Sequence, residues 1–243
     1  MTTVRGSEGW QTAVRRLLGL GRLLPLGGAA DGVWLAERAA VAELRRAAAG
    51  LPGTVLGTVR LSLADPAAAE RPAVPPPPSA LPPGELRIEA EFGEAFTDMT
   101  DEPLPAVAGR LRATLAACAA EGLGLRVAEV DLRVTALLDS PPKPTQAPQA
   151  PQRTAEPAEP PAPASDNAHE VLDAAAAVPG VARLTRTLSG RAAGLPGHVL
   201  VEVATAAGHH PLEVARAVRK EVAASVPGGP SVAVLVTAVG VAP

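Results

Sequence analysis

Aromatic residues are scarce in this 243-residue sequence, which has no tyrosine, two phenylalanines and two tryptophans. Large cores and ligand pockets usually depend on aromatic side chains, so this scarcity favours small, thin domains. The sequence also has a single cysteine, Cys118, which excludes an internal disulfide framework.

An excess of basic charge and long apolar runs are missing as well. The net charge is −3, whereas nucleic-acid-binding proteins normally carry a basic excess, so no nucleic-acid partner is expected. No stretch reaches the roughly 18 apolar residues of a membrane span. The N-terminal stretch lacks a secretory pattern, because Glu8, Arg15 and Arg16 interrupt it. We therefore expect a cytoplasmic protein, at most peripheral at the inner face of the cell membrane.

Recognisable catalytic and metal-binding motifs are missing too. There is no G-x-S-x-G sequence, and no glycine-rich loop is followed by the Lys-Ser/Thr of a P-loop. His209, His210 and the nearby Glu213 do not make up a zinc site, which needs three or four ligands. Cys118 falls on the apolar face of a predicted helix, as a small core residue does. We expect no catalytic residues, no metal and no cofactor.

Proline, by contrast, is abundant, and it divides the chain. Residues 140–166 have almost no large apolar side chain, so they predict a disordered linker of extended polyproline II geometry. A shorter proline-rich insert, residues 71–83, reads as a second spacer. These segments leave three parts: residues 1–27, 28–139 and 167–243.

The two larger parts show the same order of elements, α-β-β-α-β. In residues 28–139, the periodicity predicts a helix over 34–49, strands over 54–63 and 85–92, a helix over 104–120 and a strand over 126–138. In residues 167–243 it predicts a helix over 168–178, strands over 181–188 and 198–205, a helix over 211–226 and a strand over 231–239. We expect an α+β protein of two modules, each a three-stranded sheet with two helices, joined by the proline-rich linker.

The N-terminal part, residues 1–27, predicts an amphipathic helix over 7–26. Trp10 and Leu17 lie on its apolar stripe, and Arg15 and Arg16 lie outside it. Such a helix either contacts a partner or an anionic membrane, or folds against the first module. Glycine and proline near its end limit its length, so membrane contact is expected to be indirect or weak.

One stretch resembles a known family. Residues 102–137 are similar to the last helix and strand of the alkaline shock protein family, also called envelope stress response proteins. The matching positions are Pro105, Val107, Gly122, Leu123, Val127, Glu129, Val130, Asp131 and Val134. The second part keeps Pro211 and Val214 of that pattern but lacks its Glu-Val-Asp element. The proline-rich segments and the N-terminal extension depart from the family.

The resemblance implies a small cytoplasmic protein without catalysis. Its partners would be other alkaline-shock-like proteins and a small membrane-anchored protein, in assemblies linked to envelope stress. The expectation is thus an adaptor that acts through protein–protein contacts, self-association included, with Trp10, Arg15, Arg16, Leu17, Glu129 and Asp131 as partner-binding residues. A small-ligand or RNA-binding α/β module is the alternative.

Overall fold

Eight strands and four helices make up the described part of this computed structural model, which covers residues 19–95, 103–138, 166–188, 197–226 and 228–242. The helices are α1 (Glu37–Ala48), α2 (Leu104–Ala117), α3 (Asp166–Ala176) and α4 (Pro211–Ser225). The strands are β1 (Leu23–Pro25), β2 (Val33–Ala36), β3 (Thr54–Leu63), β4 (Leu86–Ala95), β5 (Val127–Leu138), β6 (Val181–Leu184), β7 (His198–Ala206) and β8 (Ser231–Val241). The protein is therefore α+β, as the sequence predicted.

The strands form two sheets. One has three strands in the order β3-β4-β5, and the other has five in the order β1-β2-β8-β7-β6. In the three-stranded sheet, β3 and β4 are antiparallel while β4 and β5 are parallel. The strands β6, β7 and β8 repeat these two pairings in the five-stranded sheet. In each case a helix connects the two parallel strands, as parallel pairing requires.

The larger sheet contains two strands, β1 and β2, that were not predicted, and this corrects the prediction of two three-stranded sheets. Residues 23–36 form a hairpin, β1–β2, and β2 pairs in parallel with β8. β8 is apolar on both faces, and its residues Val234 to Val236 are fully buried, so its second edge needs a partner strand. Accordingly, Leu23–Pro25 and Trp34 lie in strands, where helices had been predicted, and α1 begins only at Glu37.

The proline-rich insert is a second correction, because it packs on this hairpin instead of acting as a spacer. Its Leu81 donates an N–H to the Leu23 carbonyl at 2.9 Å, and its Ala73 donates one to the Ala29 carbonyl at 3.0 Å. The indole Nε1 of Trp34 donates to the Leu81 carbonyl at 3.1 Å. Val74, the fourth residue of the insert, is buried. The backbone of the insert thus satisfies the outer edge of β1.

The inner side of the three-stranded sheet holds the clearest match between sequence and structure. Leu86, Ile88, Ala90 and Phe92 of β4 are all buried, as their alternation predicted. They face α2, whose Val107, Leu111 and Leu115 are buried on one stripe. A π-helical turn, Cys118–Leu123, continues α2 and ends at Gly124 in the left-handed region, φ +84°.

The two halves of the chain contact each other beside that turn. Within the first half, Gly27 in the hairpin loop donates its N–H to the Gly124 carbonyl at 3.2 Å, which places the hairpin beside this turn. A Cβ at Gly124 would lie 2.9 Å from both His210 Cε1 and Leu212 Cβ, so only glycine allows this approach. In the same hairpin loop, Asp31 Oδ1 accepts a hydrogen bond from Arg216 Nε of α4 at 2.8 Å. The predicted linker, residues 140–166, lies outside the described residues except for Asp166, which begins α3.

Candidate interaction surface

The side of the three-stranded sheet away from α2 carries charged residues from all three strands; we call it the outward face. The strands present their polar side chains here because the alternate positions face the core. Its members are Arg60 and Ser62 of β3, Arg87, Glu89 and Glu91 of β4, and Glu129, Asp131 and Arg133 of β5.

Strand register aligns these charges in rows. One row runs from Arg60 through Glu89 to Asp131, and a second pairs Arg87 with Glu129. Opposite charges directly across a strand pair stabilise it slightly, whereas like charges destabilise it. Glu89 and Asp131 are such a like-charged pair, so the face keeps an acidic excess next to its free edge.

Arg87 links the two family-like acidic residues. Its Nε donates to Glu129 Oε2 at 2.7 Å, its terminal NH2 group donates to the same oxygen, and its Nε lies 3.3 Å from Asp131 Oδ2. The hydrogen bonding that Arg87 donates to the Glu129 carboxylate is the main cause that raises the pKa of Arg87. Both carboxylates remain exposed, at 48% for Glu129 and 59% for Asp131, and are thus accessible to a partner.

A shallow depression of about 290 Å³ lies on this face. It is lined by Thr58, Arg60, Glu89, Ala90, Glu91, Asp131, Leu132 and Arg133. The lining mixes both signs of charge and is open to solvent, which suits the side chains of another protein better than a buried small molecule.

The structure places Glu129 and Asp131 on one face of β5, both in contact with Arg87. Trp10, Arg15, Arg16 and Leu17 lie outside the described residues. Arg87, the residue that joins the two acids, was not predicted as a site residue. Its place on the polar side of the alternating β4 sequence was a signal that would have found it.

A second concavity, of about 700 Å³, lies where the two halves meet. It is lined by Glu43, Arg46, Gly122, Ala206, Ala207, Gly208, His209, His210, Val239 and Gly240. His210 immediately precedes α4, and within the described chain its buried Nδ1 has no hydrogen-bond partner. Burial raises the pKa of the neighbouring Cys118 thiol, so that thiol stays protonated and unreactive at neutral pH.

A hydroxyl–imidazole pair of the kind used in nucleophilic catalysis is formed by Ser231 and His198. His198 Nδ1 lies 2.8 Å from Ser231 Oγ at the start of β7 and β8, and burial lowers the pKa of His198. Ser231 Oγ also donates to the Gly197 carbonyl at 3.3 Å. These contacts join the two strand starts. A triad would also need an acid that orients the histidine, and none of the hydrogen bonds of His198 within the described residues involves one.

No helix of the described residues is long and apolar enough to cross a membrane. No group of three or more histidine, cysteine, aspartate or glutamate side chains in the same part of the chain is arranged to hold a metal ion.

Comparison with known proteins adds no relative. No protein-family model, no curated protein and no solved structure matches this chain at a significant level.

Proposed function

We propose that this chain is a non-enzymatic adaptor built from two copies of one α-β-β-α-β module and acting through protein–protein contacts. The repeated strand pairing in the two halves supports the duplication. The outward face of the three-stranded sheet carries the functional part of the proposal, because it presents Arg87, Glu129 and Asp131 as one exposed, hydrogen-bonded group.

The first module, residues 28–139, supplies the specific contact. In the five-stranded sheet, Glu202 and Leu235 lie side by side and are both buried, so this part of the second sheet is not accessible. The carboxylate of Glu202 accepts N–H groups from Thr187 and Leu188 at 2.6 to 3.1 Å, which is a structural role. Duplication followed by burial of one copy's polar face accounts for this difference.

The class proposed for the adaptor is the alkaline-shock-like one, near the cytoplasmic membrane. The similarity of residues 102–137 supports it, and in the structure these residues supply α2 and β5. Its partners would be other alkaline-shock-like proteins and a small membrane-anchored protein. The acidic excess of the outward face disfavours a nucleic-acid backbone as the alternative partner.

Affinity capture from detergent extracts tests the adaptor. The full chain is the bait, beside the double variant Glu129→Ala with Asp131→Ala, and a chain lacking residues 1–27. We expect the full chain to recover a defined protein partner, and the double variant to recover at least tenfold less. A single exposed charge contact contributes little to affinity, so both carboxylates are removed in the same variant.

The matched control is Lys220→Ala, an exposed change on α4, which should recover as much partner as the wild type. Loss of capture without residues 1–27 would assign the N-terminal segment a share of the contact. Recovery of no partner by the full chain, or equal recovery by the double variant, would reject the proposal.

A further inference from the structure

β5 is an edge strand of the three-stranded sheet, and it differs from the other edge strands in its length and exposure. It is 12 residues long, and its outer side is exposed along residues 128–135 except for the half-buried Val130 and Leu132. Val134 points to the inner side of the sheet beside Phe92 yet is 41% exposed. A long edge that carries an exposed apolar side chain is a site for pairing with another strand.

The other described edges are occupied or short. On β3, Glu37 accepts the N–H of Leu61, and Arg45 and Arg22 donate to the carbonyls of Gly57 and Leu61. On β1 the proline-rich insert pairs with Leu23. β6 has only four residues. At β5, Arg112 Nε donates to the Val130 carbonyl at 3.0 Å.

The hydrogen-bond register identifies which backbone groups face that edge. Leu86 donates its N–H to the Arg126 carbonyl, so Leu86, and by alternation Ile88 and Ala90, bond towards β5. In a parallel pair, such a residue bonds the two neighbours of its partner and leaves the partner's own groups free. Val130 and Leu132 are the partners of Ile88 and Ala90. Their N–H and C=O groups therefore point away from β4, towards the open edge of the sheet. The Arg112 contact on the Val130 carbonyl agrees with this.

We propose that β5 pairs with β5 of a second copy of this chain, antiparallel and centred on Leu132, joining two three-stranded sheets into one of six strands. This centre lies within residues 129–134, the part of β5 that pairs with β4 without a register shift. It places Val130 opposite Val134 and Leu132 opposite itself on the inner side, which covers the exposed Val134. The pairing deepens the adaptor proposed above and rests on it for its biological purpose.

Charge selects this register. With Leu132 at the centre, each Asp131 lies opposite the Arg133 of the other copy, so two opposite-charge pairs form on the outward face. A centre at Val130 would place Glu129 opposite Asp131 of the other copy. A centre at Asp131 would place the two Asp131 carboxylates opposite each other, and a centre at Arg133 would do the same with the two Arg133 guanidinium groups. All three alternatives create like-charge contacts or lose both ion pairs.

Arg133 is available for this contact. Within the described residues its guanidinium makes no ion pair, although it lies opposite Glu91 in the register. Glu129 accepts hydrogen bonds from two nitrogen donors of Arg87, whereas Asp131 contacts only one of them. The Asp131 carboxylate therefore keeps lone pairs that can accept from another copy. The Val130 carbonyl has a second lone pair, so it accepts an inter-chain N–H while Arg112 stays in place.

Sedimentation equilibrium of the full chain tests the pairing by mass. At about 100 µM, we expect the wild type to show twice its monomer mass of 24.5 kDa. Asp131→Arg and Arg133→Asp should each weaken dimerisation about tenfold or more, because each replaces two attractive contacts by two repulsive ones. The double variant Asp131→Arg with Arg133→Asp should restore the dimer, since it exchanges the charges while keeping them complementary.

Lys220→Glu is the control for net charge and should dimerise as the wild type does. A monomeric wild type overturns the proposal. Dimerisation of unchanged strength in both single variants overturns it as well. A chain that dimerises only after deletion of residues 139–165 overturns it too, since that segment would then occupy the edge. A monomeric wild type whose partner capture still depends on Glu129 leaves the adaptor intact. A dimer that follows the charge exchange but captures no partner rejects the adaptor alone.

Discussion

At the scale of single residues, Asp31 is the side chain with most consequence for how the halves are joined. Its carboxylate accepts the Gly28 N–H at 2.7 Å within its own loop and two donors of Arg216 from α4. Arg219 of the same helix donates to the carbonyl of Asp31 at 2.8 Å. With 17% of the side chain exposed, this group sits between a surface ion pair and a buried one.

Asp31→Asn should lower the free energy of unfolding by about 1–3 kcal/mol at pH 7, because it removes the less exposed of the two carboxylates that Arg216 contacts. Urea denaturation at pH 7 measures the loss. The matched control is Glu213→Gln, since Glu213 contacts the same arginine from a position that is 66% exposed. That change should cost no more than about 0.5 kcal/mol. Equal costs for both variants would contradict the structural role of Asp31.

The same residue predicts a pH dependence. Burial acts to raise the pKa of Asp31, but the hydrogen bonds from Arg216 and Gly28 outweigh it, so the net pKa lies below its ordinary value of 3.8. A lowered folded-state pKa gives stability that is present above 3.8 and is lost as the pH falls through the folded pKa. The difference between wild type and Asp31→Asn should therefore shrink in urea titrations below pH 3.8.

At the scale of elements, periodicity predicted the parts that face one core and failed where the contact lay far along the chain. The alternation of β4 and the stripe of α2 depend on local spacing, and both are as predicted. The hairpin β1–β2 was missed because β2 is only four residues long and its partner is β8. Short apolar runs of this kind do not distinguish a strand from a helix.

The proline-rich insert was misjudged for a related reason. Its composition is that of a spacer, and only the tertiary contacts of Val74, Leu81 and Trp34 make it part of the fold. In the candidate site, Glu129 and Asp131 could be named because they lie in a local motif. Their link to Arg87 depends on strand register, which the sequence leaves open.

Val74→Ala tests whether the insert packs in solution. Val74 is buried at 5% exposure, so its truncation should lower the free energy of unfolding by about 1–2 kcal/mol. The exposed Arg71→Ala, at the start of the same insert, should change it by no more than about 0.5 kcal/mol. Urea denaturation compares the two. If Val74→Ala were as neutral as Arg71→Ala, the insert would be a solvated spacer after all.

At the scale of the whole molecule, the buried residues of both halves form one core. This core includes Ile88 of the three-stranded sheet and Val234 of the five-stranded sheet. The first half supplies two strands to the sheet of the second half, so the five-stranded sheet is built from both halves. A shared core and a shared sheet favour cooperative unfolding of the two halves.

Two single-site probes test this cooperativity. Ile88 is the sole isoleucine, so its δ-methyl NMR signal reports the three-stranded sheet. The fluorescence of Trp34, in a Trp10→Phe background, reports the five-stranded sheet. We expect both signals to change at the same urea concentration, and Val234→Ala to lower both midpoints equally. Lys220→Ala should move neither. An Ile88 midpoint that ignores Val234→Ala would mean that the halves unfold independently.

The pairing of β2 with β8 also bears on how the chain folds. Val33 and Val234 are about 200 residues apart in sequence, so the strand that completes the larger sheet is synthesised long before its neighbour. Until β8 arrives, the apolar hairpin has one unsatisfied edge, which invites wrong pairing on the ribosome or between nascent chains. The insert, which follows the hairpin closely, covers the opposite edge early. The period before β8 is synthesised, when β2 has no partner on that edge, is therefore the stage of folding at which a chaperone would matter most.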